Sequence, residues 1–370
     1  MSKPKILLVE HVLAHYRKDV FKAFLSNDYF DFEIIAGKNY QGIKSEESCG
    51  TTFNYLSVKK FEHDFYFLKG AFRYVFSRNP DIIISTGVDF HMIHSLIIFF
   101  VFRIFLRKKF YWWSHAGYGN QGRLGCIIRS LIYRSSSGVF VYSNAGRENL
   151  VAMKVREQNI VVVNNSLNRE DYGFINNDIL LPRETGSFSI IFSGRITKAK
   201  KVDILIEALK ILQNQFQFDF KCVIIGGGDL LQIIKLSKEA GVHEKILFTG
   251  EIYGRELHNY FLDADVFVYP GGIGLSCLHA LSFGLPVITT DNIYDHGPEL
   301  ELLIPGYNGD MFHNDSPEDL AMKINEWRTK LQVNRNEYRS NCIRRIKELE
   351  YLPDLMVNRI MDFLKSRIAK

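Results

Sequence analysis

Short β-branched runs alternate with helix-length amphipathic stretches along most of the chain. The first series is KILLVE at 5–10, FEIIAG at 32–37, DIIIST at 81–86, KFYWW at 109–113, GVFVYS at 138–143 and IVVVNN at 160–165. A second follows: FSIIFSG at 188–194, KCVIIGG at 221–227, KILFTG at 245–250, VFVYPG at 266–271 and PVITT at 286–290. Strand-length runs separated by helical periodicity predict βαβ units and a parallel sheet with both faces covered. Because the pattern occurs twice, the expected fold is α/β with two Rossmann-like domains facing a cleft. The first domain is expected over 1–168 and the second over 188–351, joined by the polar, irregular segment 169–187. A last apolar-periodic stretch, LPDLMVNRIMDFLKSRIAK at 352–370, predicts a C-terminal helix.

In the second series each strand ends in glycine or proline: Gly194, Gly226 to Gly228, Gly250, and Pro270 to Gly272. The carboxyl ends of strands in an open parallel sheet face the ligand, and glycine there lets backbone come close to it. SGRITKAKKVDILIEALKIL, 193–212, puts Arg195, Lys198, Lys200 and Lys201 just before an apolar-periodic helix. Cations at a helix N-terminus oppose its dipole, which favours a bound anion there, read here as a diphosphate. The plainer alternative is a solvated basic turn. VIIGGGD at 223–229 lacks the G-x-G-x-x-G spacing of a dinucleotide fingerprint and reads as a tight turn opening a helix.

Composition narrows the class. With 370 residues, 46% apolar and 24% charged, the chain is neither disordered nor built for a bilayer core. Five scattered cysteines without a C-x-x-C pair argue for reduced thiols and against zinc. The N-terminus carries no secretory pattern, so the cytoplasm is the expected location. MIHSLIIFFVFRIFL, 92–106, is too short to span a membrane. Its plain reading is a buried helix. Residues 101–150, however, hold eight basic side chains and one acidic one, a local excess that suits docking on an anionic leaflet at the inner face of the plasma membrane. No helix-turn-helix, RNP or zinc pattern accompanies the charge, so no nucleic acid partner is expected.

SGRITKAKKVDILIEAL, VIIGGGD, ILFTGEIYGRELHNYFLDADVFVYP and GIGLSCLHALSFGLPVITT, in this order, resemble the C-terminal nucleotide-sugar domain of retaining GT-B glycosyltransferases of family 4. YWWSHAGYG at 111–119, VFVYSNAGRENL and VVVNNSLN are similar to a bacterial subgroup that assembles surface polysaccharides such as lipopolysaccharide or capsule. The resemblance implies that the C-terminal helix crosses back to the first domain. It also implies transfer of a sugar from a UDP-sugar or GDP-sugar to a hydroxyl of a glycan or lipid-linked saccharide, with retention. No cofactor or metal is expected, since cations from the protein can supply the positive charge.

Carried over by position, Arg195 and Lys200 match the family's R-x4-K pair, which binds the donor diphosphate and stabilises the leaving group. His115 matches a histidine that reaches the transferring sugar in relatives; taken alone, a histidine after a strand is more often structural. Donor contacts are expected from Gly194, Gly250, the loop Gly271, Gly272, Ile273, Gly274, Leu275 and Ser276, and from His279 and Glu299. The family carries glutamates where this chain has Gly271 and His279. Three explanations compete: His279 replaces a glutamate as the ribose partner while the glycine-rich backbone holds phosphate; the protein is an inactive binder; or Glu299 or Glu301 supplies the carboxylate.

The family also implies acceptor contacts after the first strand, from His11, His15, Tyr16 and Arg17, the last poised for an acceptor phosphate. Asp89 is the further acceptor-side candidate, with a helix N-cap as its plain reading. Asp19, Asp89 and His115 are the candidate bases should the reaction invert. The rival functions are a non-catalytic nucleotide-sugar binder and a sugar-nucleotide epimerase of the same architecture.

Overall fold

The computed structural model describes residues 3–38, 53–60, 65–116, 123–176 and 186–368. The chain divides into two units, Met1–Asn168 with Leu352–Lys370, and Arg169–Tyr351.

The first unit is built on a seven-stranded parallel sheet of β1 (Lys5–Val12), β2 (Asp31–Gly37), β3 (Phe53–Leu56), β6 (Ile82–Thr86), β7 (Lys109–Ser114), β8 (Gly138–Val141) and β9 (Ile160–Val162). The spatial order is β3-β2-β1-β6-β7-β8-β9. A short antiparallel pair, β4 (Val58–Lys60) and β5 (Tyr66–Leu68), lies outside it. Successive residues of a strand point to opposite faces, so each strand feeds two cores. Ile6, Leu8, Ile82 and Ile84 enter one, with α1 (Lys18–Leu25) and the C-terminal helix α12 (Pro353–Ile368). Val20, Phe21 and Phe24 of α1 meet Met356, Ile360 and Leu364 of α12 there, so the last helix belongs to the first unit's core, as the fold implies. Leu7, Val9, Ile83 and Trp112 enter the other core. It is covered by α2 (Ala71–Arg78), α3 (Ile93–Ile98) with its π-helical continuation Phe99–Phe105, α4 (Arg123–Ser135) and α5 (Asn144–Ala152). The 92–106 stretch buries Ile98, Phe99 and Phe102. Its outer row is exposed, so the plain reading of a buried helix holds for one face only.

The second unit carries β10 (Phe188–Ser193), β11 (Phe220–Ile225), β12 (Ile246–Gly250), β13 (Val266–Tyr269), β14 (Val287–Thr290) and β15 (Gly309–Phe312). All are parallel in the order β12-β11-β10-β13-β14-β15, the doubly wound arrangement. Its helices are α6 (Gly173–Asn176), α7 (Val202–Ile211), α8 (Leu230–Glu239), α9 (Gly254–Asp263), α10 (Leu275–Ser282) and α11 (Pro317–Glu348). Ser316 accepts the Asp319 N–H ahead of Pro317, a cap that starts α11, and Asn334 kinks it.

Part of the segment expected as a linker is packed structure. The Gly173 N–H donates to Ser282 Oγ, and the buried Tyr172 donates its hydroxyl to the Tyr351 carbonyl. Residues 177–185 lie outside the described residues.

Candidate functional site

In each sheet the strand order reverses beside its first strand, between β1 and β6 and between β10 and β13. The carboxyl ends flanking such a switch point form the natural ligand crevice of a doubly wound sheet. In the second unit those ends carry Gly194 and Arg195 on one side and the loop 270–274 on the other.

Lys200 anchors this site. Its Nζ donates to the Gly272 carbonyl at 2.7 Å and lies 5.1 Å from the centre of the Tyr269 ring. Burial and the positive charge of Arg195 lower its pKa from the usual lysine value, with Asp295 opposing. Arg195 is exposed and makes no hydrogen bond or ion pair among the described residues. Two cations are thus held within electrostatic reach, one without a partner. Lys201 belongs elsewhere: it pairs with Asp315 at 2.7 Å and donates to Asn314 Oδ1. Lys198 is exposed on the same turn.

Two glycines of the loop leave no room for a side chain. A Cβ at Gly271 would fall 2.2 Å from the Ala199 carbonyl oxygen and 2.7 Å from Lys200 Cα; at Gly272 it would fall 2.0 Å from the Asp295 carbonyl oxygen. The loop is wedged between the turn that carries Lys200 and the segment 293–296, and no side chain fits. Gly194 is similarly required, since a Cβ there would meet the Tyr269 hydroxyl at 2.8 Å. Gly226 and Gly228, both at positive φ, lie against the carbonyls of Gly194 and Ile196, so the GGGD turn braces the site backbone. Gly250 ends β12 at φ 73° with open space beside it.

His296 is a site residue the sequence reading missed. It is buried, and its Nδ1 accepts the Ile273 N–H at 3.1 Å. The ring is therefore the neutral Nε2–H tautomer, which donates to the Thr290 carbonyl at 2.9 Å. Burial lowers its pKa, favouring that state. Together with the Gly297 N–H bond to the Ile273 carbonyl, it fixes the loop's path into α10. Ser276 hydrogen-bonds the Tyr269 hydroxyl, whose pKa burial pushes up to about 12. Ser276 follows Leu275, which opens α10 after Gly274, its N-cap.

Glu299 is only 2% exposed, and its Oε2 sits 3.6 Å from where a Gly274 Cβ would be. A carboxylate therefore stands by the start of α10, from the loop after the next strand. Glu301 shares its short 3-10 helix.

His279 differs from expectation. Its ring packs 4.5 Å from Phe261, 5.3 Å from Phe283 and 6.0 Å from His258, centre to centre, between α9 and α10. Its Nε2 is buried without a hydrogen-bond partner. Burial, and then His258, lower its pKa to about 3. The imidazole is a neutral member of an aromatic cluster, and its Nε2 is enclosed by protein.

In the first unit, the ends of β1 and β6 gather a polar cluster that sequence reading caught in part. Glu10 is 4% exposed with Oε1 unpartnered, and burial raises its pKa to about 7 against the pull of Arg17 and Thr86. Thr86 Oγ1 lies 3.2 Å from His11 Nδ1, and burial, then His94, lower the His11 pKa to about 3. Arg17 is engaged rather than poised for an acceptor phosphate. Its Nη1 donates to Tyr142 Oη at 2.9 Å and its Nη2 to Asn165 Oδ1 at 3.0 Å, and it lies over the Tyr142 and Trp113 rings. His115 is exposed, and its ring lies 4.6 Å from that of Tyr142. Residues 117–119 of its motif lie outside the described residues. His15 and Tyr16 form a short 3-10 turn directly after β1, ring edge to face at 5.4 Å. Asp89 does not cap a helix. Its Oδ1 accepts the backbone N–H of His91 and contacts His91 Nδ1, both at 2.9 Å, while Met92 precedes α3. Asp19 lies in the first turn of α1.

No group of three potential ligands that could hold a metal occurs among the described residues. The one D-x-D triplet, Asp263 to Asp265, is structural: buried Asp265 accepts the Ser189 N–H at 2.7 Å and pairs with Arg335.

Residues 180–348 match the family model described as glycosyl transferases group 1. Among curated proteins the chain is 31% identical over 140 residues to the uncharacterized glycosyltransferase MJ1607 of Methanocaldococcus jannaschii, covering 36% of this chain and 34% of that one. It is 23% identical over 257 residues to the capsular polysaccharide biosynthesis glycosyltransferase CapH of Staphylococcus aureus, covering 66% and 68%. The chain thus spans about a third of the first relative's length. Among solved structures it is similar to the lipopolysaccharide outer core galactosyltransferase WaaB, at TM-score 0.72 and 16% identity over 98% of this chain and 99% of that one. Anabaena Alr3699/HepE in complex with UDP gives TM-score 0.71 and 15% identity over 98% and 100%. These likenesses establish the fold as GT-B: two Rossmann-like domains, with the last helix returned to the first.

Proposed function

We propose that the protein is a glycosyltransferase that moves a sugar from a nucleotide diphosphate sugar to a hydroxyl of a glycan or lipid-linked saccharide in surface-polysaccharide synthesis. The observation that carries this reading is the pair Arg195 and Lys200 at the second unit's switch point. Two cations brought together beside a backbone-lined loop repel one another, and a diphosphate relieves that repulsion. The match of residues 180–348 to group 1 glycosyl transferases supports the reading, as does the UDP-glucose complex of the fold neighbour HepE.

In this reading Arg195 and Lys200 hold the diphosphate and stabilise the charge that develops on it as the glycosidic bond breaks. The sugar's anomeric carbon passes to the acceptor oxygen, and the departing phosphate takes the acceptor's proton on the same face, giving retention without an enzymic nucleophile. No metal is required, because the cations supply the charge. His296 positions the loop, and Glu299 sets a carboxylate beside Gly274. His115, His15 and Tyr16 are the acceptor-side residues of the first unit.

The test is a panel of UDP- and GDP-sugars incubated with the purified chain, with and without saccharide acceptors. Release of nucleoside diphosphate by the wild type, abolished in Arg195→Ala and Lys200→Ala variants of unchanged thermal midpoint, is the expected result. A panel that releases none, or equal release from both variants, overturns the proposal. Conversion of donor sugar without nucleotide release would instead identify an epimerase.

A further inference from the structure

At the opposite end of the first unit's sheet lies a cavity of about 660 Å³, by the amino ends of β7 and β9. Its walls carry Arg103, Lys109, Arg134, Lys154, Arg156 and Arg367, and no carboxylate. Some of these cations are spent on structure. Arg103 donates from Nε to the Ser135 carbonyl, Lys109 to the Arg367 carbonyl, and Arg367 to the Asn159 side chain. The side chains of Arg134, Lys154 and Arg156 are exposed and make no hydrogen bond or ion pair among the described residues. Three unpaired cations around one cavity concentrate positive potential there and favour an anion.

The surface beside the cavity shows what carries that anion. The helix Ile93–Phe105 and α4 both pack on the same sheet face, through Phe99 and Phe102 and through Ile132 and Tyr133. They follow neighbouring strands, and Arg103 ties their C-terminal ends together through Ser135. Their outer rows are apolar: Phe105 is 76% exposed, Leu124 71% and Leu131 57%, with Phe100 and Ile127 also exposed. Leu131 belongs to both the apolar row and the cavity wall. An exposed apolar face of this extent, rimmed by Arg107, Lys108 and Arg134, is unlike an ordinary solvated surface. No helix of the described residues is long and apolar enough to cross a membrane.

We propose that this face docks on an anionic membrane surface, with a phospholipid headgroup phosphate seated in the Arg134, Lys154 and Arg156 cavity and Phe105 and Leu131 entering the acyl boundary. Apolar insertion and headgroup attraction each add to binding, and neither alone gives stable attachment. A free polyanion would use the cavity and leave the apolar row without a function. The lipid accounts for both features, and the site is distinct from the donor site of the second unit.

The test is co-sedimentation of the full chain with vesicles of phosphatidylcholine alone or mixed with phosphatidylglycerol, at low and high salt. The wild type is expected to pellet with the anionic vesicles at low salt and not with the neutral ones. The triple variant Arg134→Glu, Lys154→Glu, Arg156→Glu should bind about a hundredfold less or worse, from roughly 1 kcal/mol per charge removed. Phe105→Ser with Leu131→Ser should lower binding independently. These side chains are exposed, so an unchanged thermal midpoint is expected; if a variant fails to fold, the wild-type comparison of vesicles decides alone. Absence of pelleting with anionic vesicles, or equal pelleting by all folded variants, overturns the proposal. So does binding of inorganic pyrophosphate, lost in the triple variant, without vesicle binding, which would assign the cavity to a free anion.

Discussion

Gly271 settles a local conflict between the loop and the turn that holds Lys200. Any side chain there meets backbone, and backbone cannot swing aside as a flexible side chain can. Gly271→Ala should therefore displace Lys200 as well as cost stability, on the order of 1–3 kcal/mol for overpacking. A lowered midpoint in thermal unfolding together with weakened UDP binding is expected; an unchanged midpoint and affinity would contradict the packing account. The sequence showed Arg195, Lys200 and the glycines because their types and spacing are local. It did not show His296, Glu10, Tyr142 or Asn165, whose roles arise from contacts between distant segments. One signal was available: Glu10 interrupts the otherwise apolar run of β1, where an acidic residue is seldom placed without a reason. Arg17 misled for the same reason, since its partners Tyr142 and Asn165 lie far along the chain.

At the level of elements, α3, α10 and β1 contribute imidazoles that are held neutral. His94, in α3, accepts the Leu68 N–H at Nδ1, and its pKa is lowered to about 4, mainly by burial. His279 and His11 are lowered to about 3. A base whose folded pKa lies below its unfolded value of about 6.5 stabilises the fold above that pH and loses its contribution as pH falls. Stability should therefore decline from pH 7 toward 4, each ring contributing on the order of 1 kcal/mol by pH 5. Glu10 acts oppositely: its raised pKa costs stability as pH rises through about 4.5 to 7. Urea unfolding at pH 7.5 and 5 should show this loss, and His279→Phe should reduce it; an equal loss in the variant would remove His279 from the account. All the strands read from apolar runs are present; the central ones, such as β6, β8, β13 and β14, are buried along their whole length. The strands β3, β4, β5 and β15 escaped notice. They have three or four residues, and in VKK and GDMF polar residues interrupt the apolar signal. Helix α11 was not foreseen either, since its apolar positions are sparse among charged ones.

On the scale of the molecule, the net charge of +5 conceals two separate concentrations of positive charge. One gathers beside the loop 270–274 of the second unit and the other around a cavity of the first, at the amino end of its sheet. The repeat of βαβ pattern made the two units legible, and the strand order then fixed where each crevice lies. Nothing in the periodicity could show that the outer row of 93–106 is exposed, because a buried helix and a docking helix share the same apolar composition. Diphosphate binding should weaken with added salt, as an interaction with exposed Arg195 requires.

The central claim is that Arg195 and Lys200 bind a nucleoside diphosphate at the second unit's switch point. Titration calorimetry of the full chain with UDP and with GDP tests it most directly, on the wild type and on Arg195→Ala and Lys200→Ala. Binding of one nucleotide to the wild type, weakened about tenfold or more in each variant as expected for loss of a charge-assisted contact, is the predicted result. Affinity unchanged in both variants, or no binding of either nucleotide, would contradict it.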